Sequence, residues 1–425
     1  MRKAVVNIAR LVLAVVFILS GFVKAVDPRG TQYKIGDYLE AMHLGSLSAD
    51  WLTLGASVLQ SAVEFVLGIC LLFAIRRRLV SRLTLAIMTV MTLLTLWLAL
   101  ANPISDCGCF GDALVLTNWQ TLWKNVALTL LALVLTLWPT DMMRMISQSN
   151  QWIVFNYATL FILFIEGWCL YDLPMFDFRP YHVGANISEG MTTPEGAQQP
   201  QFETTFILEK DGERREFTAE NYPDSTWTFV DSRTVQTAEG YVPPIHDFSI
   251  LTDEGDDITE EVLAREGYTF LLVSPHLEQA SDSEFDRINQ LWEYCQEQGY
   301  DFGCLTASTP RAISRWQDVT GAEYPFYQSD ETTLKTIIRS NPGLLLLKEG
   351  TIIRKWSHNA LPGDEELDER LEDSELGRMP EDSVPGKIAW LFAWFVLPLM
   401  ALTIADRLWA WSKWLRKEEE GVRGS

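Results

Sequence analysis

The sequence predicts a multi-domain membrane protein: a transmembrane bundle of six α-helices, an extracytoplasmic α/β domain, and a small β-rich insert between them. Three observations carry this. Six apolar runs, five in the first part of the chain and one near its end, each approach the 17–25 residues or so that a helix needs to cross the hydrocarbon core. The acidic residues behind the net charge of −22 fall mostly between Asp172 and Asp382, away from those runs. From Tyr241 to about Pro362, short β-rich runs alternate with helical ones, the pattern of layered α/β folds.

The apolar runs are Ala4 to Val26, Trp51 to Ile75, Leu79 to Ala101, Leu122 to Trp138, Trp152 to Tyr171 and Ile388 to Trp411. So many such runs, bordered by tryptophans, argue against helices buried in a soluble protein. The first run is long and has no small-residue cleavage site, so it reads as a retained helix and not as a signal peptide. Arg2 and Lys3, Arg76 to Arg78, Arg144, and Lys413, Arg416 and Lys417 all fall on one side if every run spans. By the positive-inside rule both termini are then cytoplasmic. The acidic domain faces outward, into the periplasm of a bacterial inner membrane. Its charge excludes affinity for nucleic acid or anionic lipid. No nucleotide-phosphate loop, zinc-protease motif or serine-nucleophile elbow is visible.

The expected division is a bundle of five helices over residues 1–171, a β-rich appendage over 172–240, and an α/β domain over 241–362. An acidic, solvated tether over 363–387, a last transmembrane helix over 388–411 and a cytoplasmic tail over 412–425 complete it. In the appendage, Phe202 to Leu208, Glu213 to Thr218 and Trp227 to Val230 alternate like strands, with Asp211-Gly212 as a hairpin signal. In the α/β domain, Phe248 to Ile250 reads as an entry strand, and Ile258 to Arg265 as a helix. Tyr268 to Ser274 reads as a central strand and Ser281 to Gln298 as an amphipathic helix with Phe285, Ile288, Leu291 and Trp292 on one side. Strands at Phe302 to Leu305 and Tyr324 to Tyr327 flank a helix near Pro310 to Val319. A hairpin from Gly343 to Trp356 turns at Lys348-Glu349-Gly350.

This order resembles the thioredoxin-like fold, in its TlpA and peroxiredoxin-like branch. The residues that carry the resemblance are Phe248-Ser249-Ile250, Phe270-Leu271-Leu272-Val273 and Asn341-Pro342-Gly343-Leu344-Leu345. It implies that Pro342 is the cis proline beside the active site. The family's Cys-x-x-Cys belongs just after the central strand, where this chain has Ser274-Pro275-His276-Leu277-Glu278. With no thiolate there, disulfide exchange at the usual position is closed to it. His276 is expected to be a surface histidine. Cys295 and Cys304 are expected to be buried small hydrophobes.

The chemistry-bearing stretch is Asp106-Cys107-Gly108-Cys109-Phe110-Gly111-Asp112, a short polar loop between two apolar runs. Two cysteines this close can be a disulfide, a dithiol or half of a metal site. On an oxidising face a disulfide persists. Its very small ring departs from relaxed geometry and is more reducible for it. Asp106 and Asp112 disfavour a thiolate and so favour the oxidised resting state. Zinc needs about four ligands, and the bundle offers too few histidines, so no metal is expected. A structural disulfide and an exchanging pair both satisfy these residues. Cys109 is the better-placed attacker if Phe110 and Gly111 begin a helix-like turn.

Within the apolar runs, Glu64, Glu166, Arg10 and Lys24 are charged residues of the kind that face a bundle interior and pair with one another. Glu64 is expected near mid-membrane, paired with Arg10 or Lys24 or serving as a proton relay. Glu166 is expected nearer the outer end. Cys70 and Cys169 read as packing residues.

The first four apolar runs together resemble the DoxX/MauE family of small membrane proteins. The resemblance rests on Ser20-Gly21-Phe22-Val23-Lys24, Glu64, Cys107-Gly108-Cys109-Phe110-Gly111, Trp119, Lys124 and Asn125. It implies a bundle similar to relatives of vitamin K epoxide reductase. The implied role is in extracytoplasmic thiol–disulfide redox or maturation of envelope proteins, with Cys107 and Cys109 as the redox pair. A quinone is the one cofactor it admits, although the chain lacks a second, quinone-facing Cys-x-x-Cys. The partners implied are the lipid bilayer and a separate thioredoxin-like or envelope protein. The rival expectation is a non-enzymatic scaffold for an envelope complex, docking through the acidic domain.

Overall fold

The computed structural model describes the chain apart from residues 105–110, 115, 195, 198–200, 211–212, 219–227, 239–240, 381–383 and 424–425. Among the described residues, six helices are long and apolar enough to cross a membrane. They are α1 (Arg2–Val26), α3 (Asp50–Phe73), α4 (Arg77–Ala101), α5 (Asn118–Leu137), α6 (Gln151–Tyr171) and α12 (Val384–Arg423), with a further helix, α2 (Pro28–Ala41), between the first two. Among these helices, α1 and α3 pack most closely, and two glycines explain why. A Cβ on Gly21 would stand 2.4 Å from the backbone nitrogen of Phe65, and one on Gly68 would stand 2.7 Å from that of Ile18. Small residues let transmembrane helices touch backbone to backbone, the main route to association where no hydrophobic force separates helix from lipid. Helices α4 and α5 are joined differently, by Thr92 to Thr129 at 2.7 Å and Asn125 to Thr95 at 3.3 Å.

One end of the bundle gathers the basic residues. Arg2 pairs with Asp141, Arg77 donates to the carbonyls of Thr140 and Met142, and Arg407 donates to that of Arg144. The opposite end carries the α/β domain. Helix α12 lies against α6, with Phe395 stacked among Phe65, Tyr157 and Phe161, and with Asp406 accepting hydrogen bonds from Ser147 and Asn150. It continues as helix to Arg423, so the expected end of that helix at residue 411 is corrected.

Helix α2 was not anticipated. Asp27 caps it, with Pro28 in its first turn, where the missing N–H costs nothing. Because α2 packs along the first turns of α3, α3 begins well beyond the end of α1. Glu64, midway along α3 by count, therefore meets Lys24 in the last turn of α1.

After α6 comes a short helix, α7 (Ile187–Met191), and then an antiparallel sheet in the order β2-β1-β3. Its strands are β1 (Gln201–Lys210), β2 (Glu213–Thr218) and β3 (Thr228–Ala238). The α/β domain then runs α8 (Thr259–Leu263), β4 (Tyr268–Ser274), α9 (Phe285–Gln298), β5 (Asp301–Thr306) and α10 (Pro310–Thr320). It closes with β6 (Phe326–Gln328), α11 (Glu331–Ile337), β7 (Gly343–Lys348) and β8 (Thr351–Ser357). Its sheet has the order β6-β5-β4-β7-β8, with β4, β5 and β6 parallel and β7 and β8 antiparallel. This is the thioredoxin-like arrangement, and the Asn341–Pro342 bond at the entrance to β7 is cis. Every residue of β4 is buried because both faces of the sheet are covered. Phe270 and Leu272 enter one core with Ile288, Leu291 and Phe302, while Leu271 and Val273 enter the other with Ile250, Leu334 and Ile337.

Two expectations fail in this domain. Phe248 to Ile250 forms no strand; the segment is pinned by isolated bridges from Leu251 to Asp257 and Gln328, and its apolar side chains are buried. The acidic stretch after residue 363 is not a solvated tether. Leu371 and Leu376 are buried in the core of the domain. Tyr300 Oη accepts from Leu371 N–H at 3.0 Å, and Tyr268 Oη donates to Gly377 O at 3.0 Å. Two leucines within a charged run are enough to hold it down as a strap.

Candidate functional site

Lys24 and Glu64 meet toward the end of the bundle that bears the α/β domain. Ser20 and Lys24 lie four residues apart on α1 and so share one helix face. The close approach at Gly21 brings that face onto Glu64 of α3. Lys24 Nζ reaches both carboxylate oxygens, at 2.6 and 2.9 Å; Ser20 Oγ donates at 2.8 Å and Gln60 Nε2 at 3.1 Å. Lys24 and Glu64 are 5 % and 7 % exposed. The motif Ser20-Gly21-Phe22-Val23-Lys24 thus has a physical reading: a glycine for contact, flanked by the two groups that the contact delivers. Arg10, the other partner considered for Glu64, instead donates to Met143 O at 2.6 Å, at the opposite end. Lys124 and Asn125 of α5 line a small interior cleft together with Ser20, Lys24 and Glu64. Residues far apart in the chain, and drawn together only by resemblance, thus share one site.

Cys107 and Cys109 lie outside the described residues, but the stem of their loop is described. Asn118, the first residue of α5, donates to Asn102 Oδ1 at 2.9 Å and to Ile104 O at 2.8 Å, so it ties the end of α4 to the start of α5. A capping box between Thr117 and Gln120 fixes that start. Gly111 follows the pair and begins a single 3₁₀ turn, Gly111–Ala113. It adopts φ +53°, in the left-handed region that suits glycine, and lies against Val23 of α1.

Gly111, Val23 and Lys24 all border a cavity of about 460 Å³. The cavity is walled on one side by α2 and the start of α3, and on the other by α11 of the thioredoxin-like domain. Lys24 borders both the cavity and the interior cleft. The wall is held by ion pairs that were not anticipated. Arg339, just after α11, grips Asp27 through Nε at 3.0 Å and Nη2 at 2.8 Å, and its guanidinium lies over the ring of Tyr33. Asp177 accepts from Arg179 at 2.7 and 2.9 Å and from Lys355 at 2.9 Å. Burial alone would raise the Asp177 carboxyl, but Lys355 and Arg179 outweigh it and hold the group far below the ordinary carboxylate range. Asp27 follows the same logic: Arg339 and Arg179 overcome its burial and lower it. Arg179 also donates to Thr336 O at 3.0 Å, which ties the segment after α6 to α11. Lys355 stands beside Arg354 in a hairpin with several charged residues, so neither its burial nor its partner could be read from the sequence.

The thioredoxin-like domain shows no comparable centre at its usual position. Ser274 Oγ donates to Asn341 Oδ1 at 2.7 Å, Asn341 Nδ2 donates to His276 O at 2.9 Å, and Leu277 N–H donates to Ser308 Oγ at 2.8 Å. His276 is one-third exposed and sits 3.0 Å from Glu331. Pro342 stands beside this saturated cluster, one residue from Asn341. Cys295 and Cys304 are free and buried on the sheet and α9, and burial pushes both thiols up, away from reactivity. Cys70 and Cys169 are likewise free and buried, within the bundle. Among the described residues, no group of three or more His, Cys, Asp or Glu is arranged to hold a metal.

Comparison with known proteins separates the two halves. Residues 2–138, which include Lys24 and Glu64, match the family model described as methylamine utilisation protein MauE. Residues 202–239 match a domain of unknown function, DUF8463. No curated protein matches the chain. Among solved structures, a candidate protein disulfide isomerase from Bacteroides thetaiotaomicron is similar at 18 % identity. The match covers 27 % of this chain and 77 % of that one, with a TM-score of 0.21.

Proposed function

We propose that this membrane protein supports thiol–disulfide exchange during maturation of envelope proteins, with Cys107 and Cys109 as the exchanging pair. It would sit in a bacterial inner membrane, with both termini cytoplasmic and the thioredoxin-like domain in the periplasm. The gathering of Arg2, Arg77, Arg144 and Arg407 at the end away from that domain supports this orientation. The observation that carries the exchange reading is the position of Gly111. The residue that leaves the cysteine loop borders the same cavity as Lys24, and Lys24 continues into the cleft with Glu64. The described residue that follows the pair thus borders a cavity that Lys24 also lines. The 3₁₀ turn at Gly111–Ala113 supports Cys109 as the attacking sulfur. The division into a bundle, a β-rich appendage and a thioredoxin-like domain assigns the last of these to positioning. Electrons would come from a separate thioredoxin-like partner, or from a quinone at the bundle.

The rival reading is a non-enzymatic scaffold, favoured by the Ser274–Asn341–His276 cluster, where the domain's own thiols are replaced by hydrogen bonds. Replacing both Cys107 and Cys109 by serine separates the two. Envelope proteins should shift toward the wrong thiol state, as read by maleimide-PEG labelling of intact cells with and without reductant. Unchanged labelling with function retained would sink the exchange reading and leave the scaffold.

A further inference from the structure

The bundle holds a second buried carboxyl group, with surroundings opposite to those of Glu64. Glu166 of α6 is 1 % exposed. Its Oε1 meets Ser61 Oγ of α3 in a short hydrogen bond, and its Oε2 is buried with no partner at all. Ser61 lies one turn from Glu64 on α3, so the two carboxyl groups approach the same helix on neighbouring turns. Glu64 has a lysine, a serine and an amide around it; Glu166 has one hydroxyl. Cys169, three residues along the same helix, is a titratable neighbour.

An ionised Glu166 would leave a bare anionic oxygen in the bundle. Leaving a buried charge without a partner costs several kcal/mol, and a carboxyl group in that position neutralises instead. As the neutral acid, its O–H donates to Ser61 Oγ, whose own proton then goes to Ser57 O at 2.8 Å. The bond to Ser61 is satisfied in both directions only in that form.

We propose that Glu166 is a proton-binding site of the bundle, held as the neutral acid with its O–H on Ser61 and its second oxygen without a partner. Each release moves one proton from the Glu166 hydroxyl to water and leaves the carboxylate; the reverse restores the acid. This assignment does not depend on the reactivity of Cys107 and Cys109.

Infrared difference spectroscopy of the purified full-length protein in vesicles tests it. Near neutral pH, wild type should show a protonated-carboxyl stretch that shifts on transfer to D₂O. Glu166→Gln should abolish that band, Glu64→Gln should leave it, and Ser61→Ala should shift it. The serine variant keeps the test open if Glu166→Gln does not fold. A wild-type spectrum without the band, a band that survives Glu166→Gln, or one that Ser61→Ala leaves in place would overturn the assignment. A band that fails to move in D₂O would likewise overturn it, because the proton would not be exchangeable.

Discussion

The bundle and the thioredoxin-like domain both place polar groups in dry surroundings, but the bundle leaves space beside its groups and the domain does not. Lys24 and Glu64 face a cleft on one side and a cavity on the other, with Lys124 and Asn125 across the gap. Ser274, Asn341 and Leu277 spend their donors and acceptors on one another and on Ser308, so a reacting group would find no free partner there. A saturated polar cluster rigidifies and specifies; an ion pair at a cavity can still respond to what enters. The difference sets an ion pair beside open space against a polar cluster that has none. The ion pairs between bundle and domain, Arg339–Asp27 and the Asp177 cluster, make the domain a fixed wall of the cavity.

Breaking that wall should have the largest effect. Asp177→Ala leaves Lys355, 4 % exposed, and Arg179, 3 % exposed, without their carboxylate. Removing one partner of a buried pair costs about 3–5 kcal/mol, so denaturant unfolding of the domain in the full-length protein should move by that amount. The sign of the pH dependence follows from the lowered Asp177 carboxyl. Its contribution is complete above the ordinary unfolded value of about 3.9 and is lost as pH falls below it toward the depressed folded value. Asp177→Asn should therefore show a flatter acid limb than wild type. Equal acid limbs would mean that the wall is held elsewhere.

The bundle pair should come next. Lys24→Met strands the Glu64 carboxylate, and a lone charge within a membrane helix costs about 2.5–3.5 kcal/mol on insertion scales. Because Gly21 and Gly68 set the α1–α3 contact independently of the charges, Lys24→Met with Glu64→Leu should recover most of that loss. Steric-trap or denaturant unfolding in micelles reads both. If the double variant is as damaged as the single, the pair is holding the helices together, and its comparison with the saturated cluster of the domain collapses.

What the sequence made legible was whatever follows a period or a length. The six spans, the alternation of α and β elements and the burial of both faces of β4 all come from local patterning. Ser20, Lys24, Glu64, Lys124 and Asn125 were legible as a set by resemblance, but their convergence depends on a backbone contact at Gly21 that no spacing shows. Helix α2 was missed because its face is only weakly apolar and it draws stability from Asp27 and from packing on α3. The strap was missed for the opposite reason: its acidic composition hid Leu371 and Leu376, whose burial is decided by Tyr268, Tyr294 and Tyr300 reaching its backbone. The ion pairs at the wall join residues more than 150 positions apart, beyond any local signal.

The smallest expected effect lies where a thioredoxin would keep its thiols. His276 meets Glu331 at 3.0 Å, but both side chains are substantially exposed, at 33 % and 42 %. Water screens such a pair, and exposed ion pairs contribute about 0.2–1 kcal/mol. Glu331 is also held by Lys335, one turn along α11, so it does not depend on the imidazole. The structural part of His276 is its carbonyl, which accepts from Asn341 and survives any side-chain change. His276→Ala should therefore move unfolding by less than about 1 kcal/mol and leave maleimide labelling of envelope thiols unchanged. A loss of exchange with stability intact would show that the domain acts on the chemistry after all, and that the contrast with the bundle has been drawn too sharply.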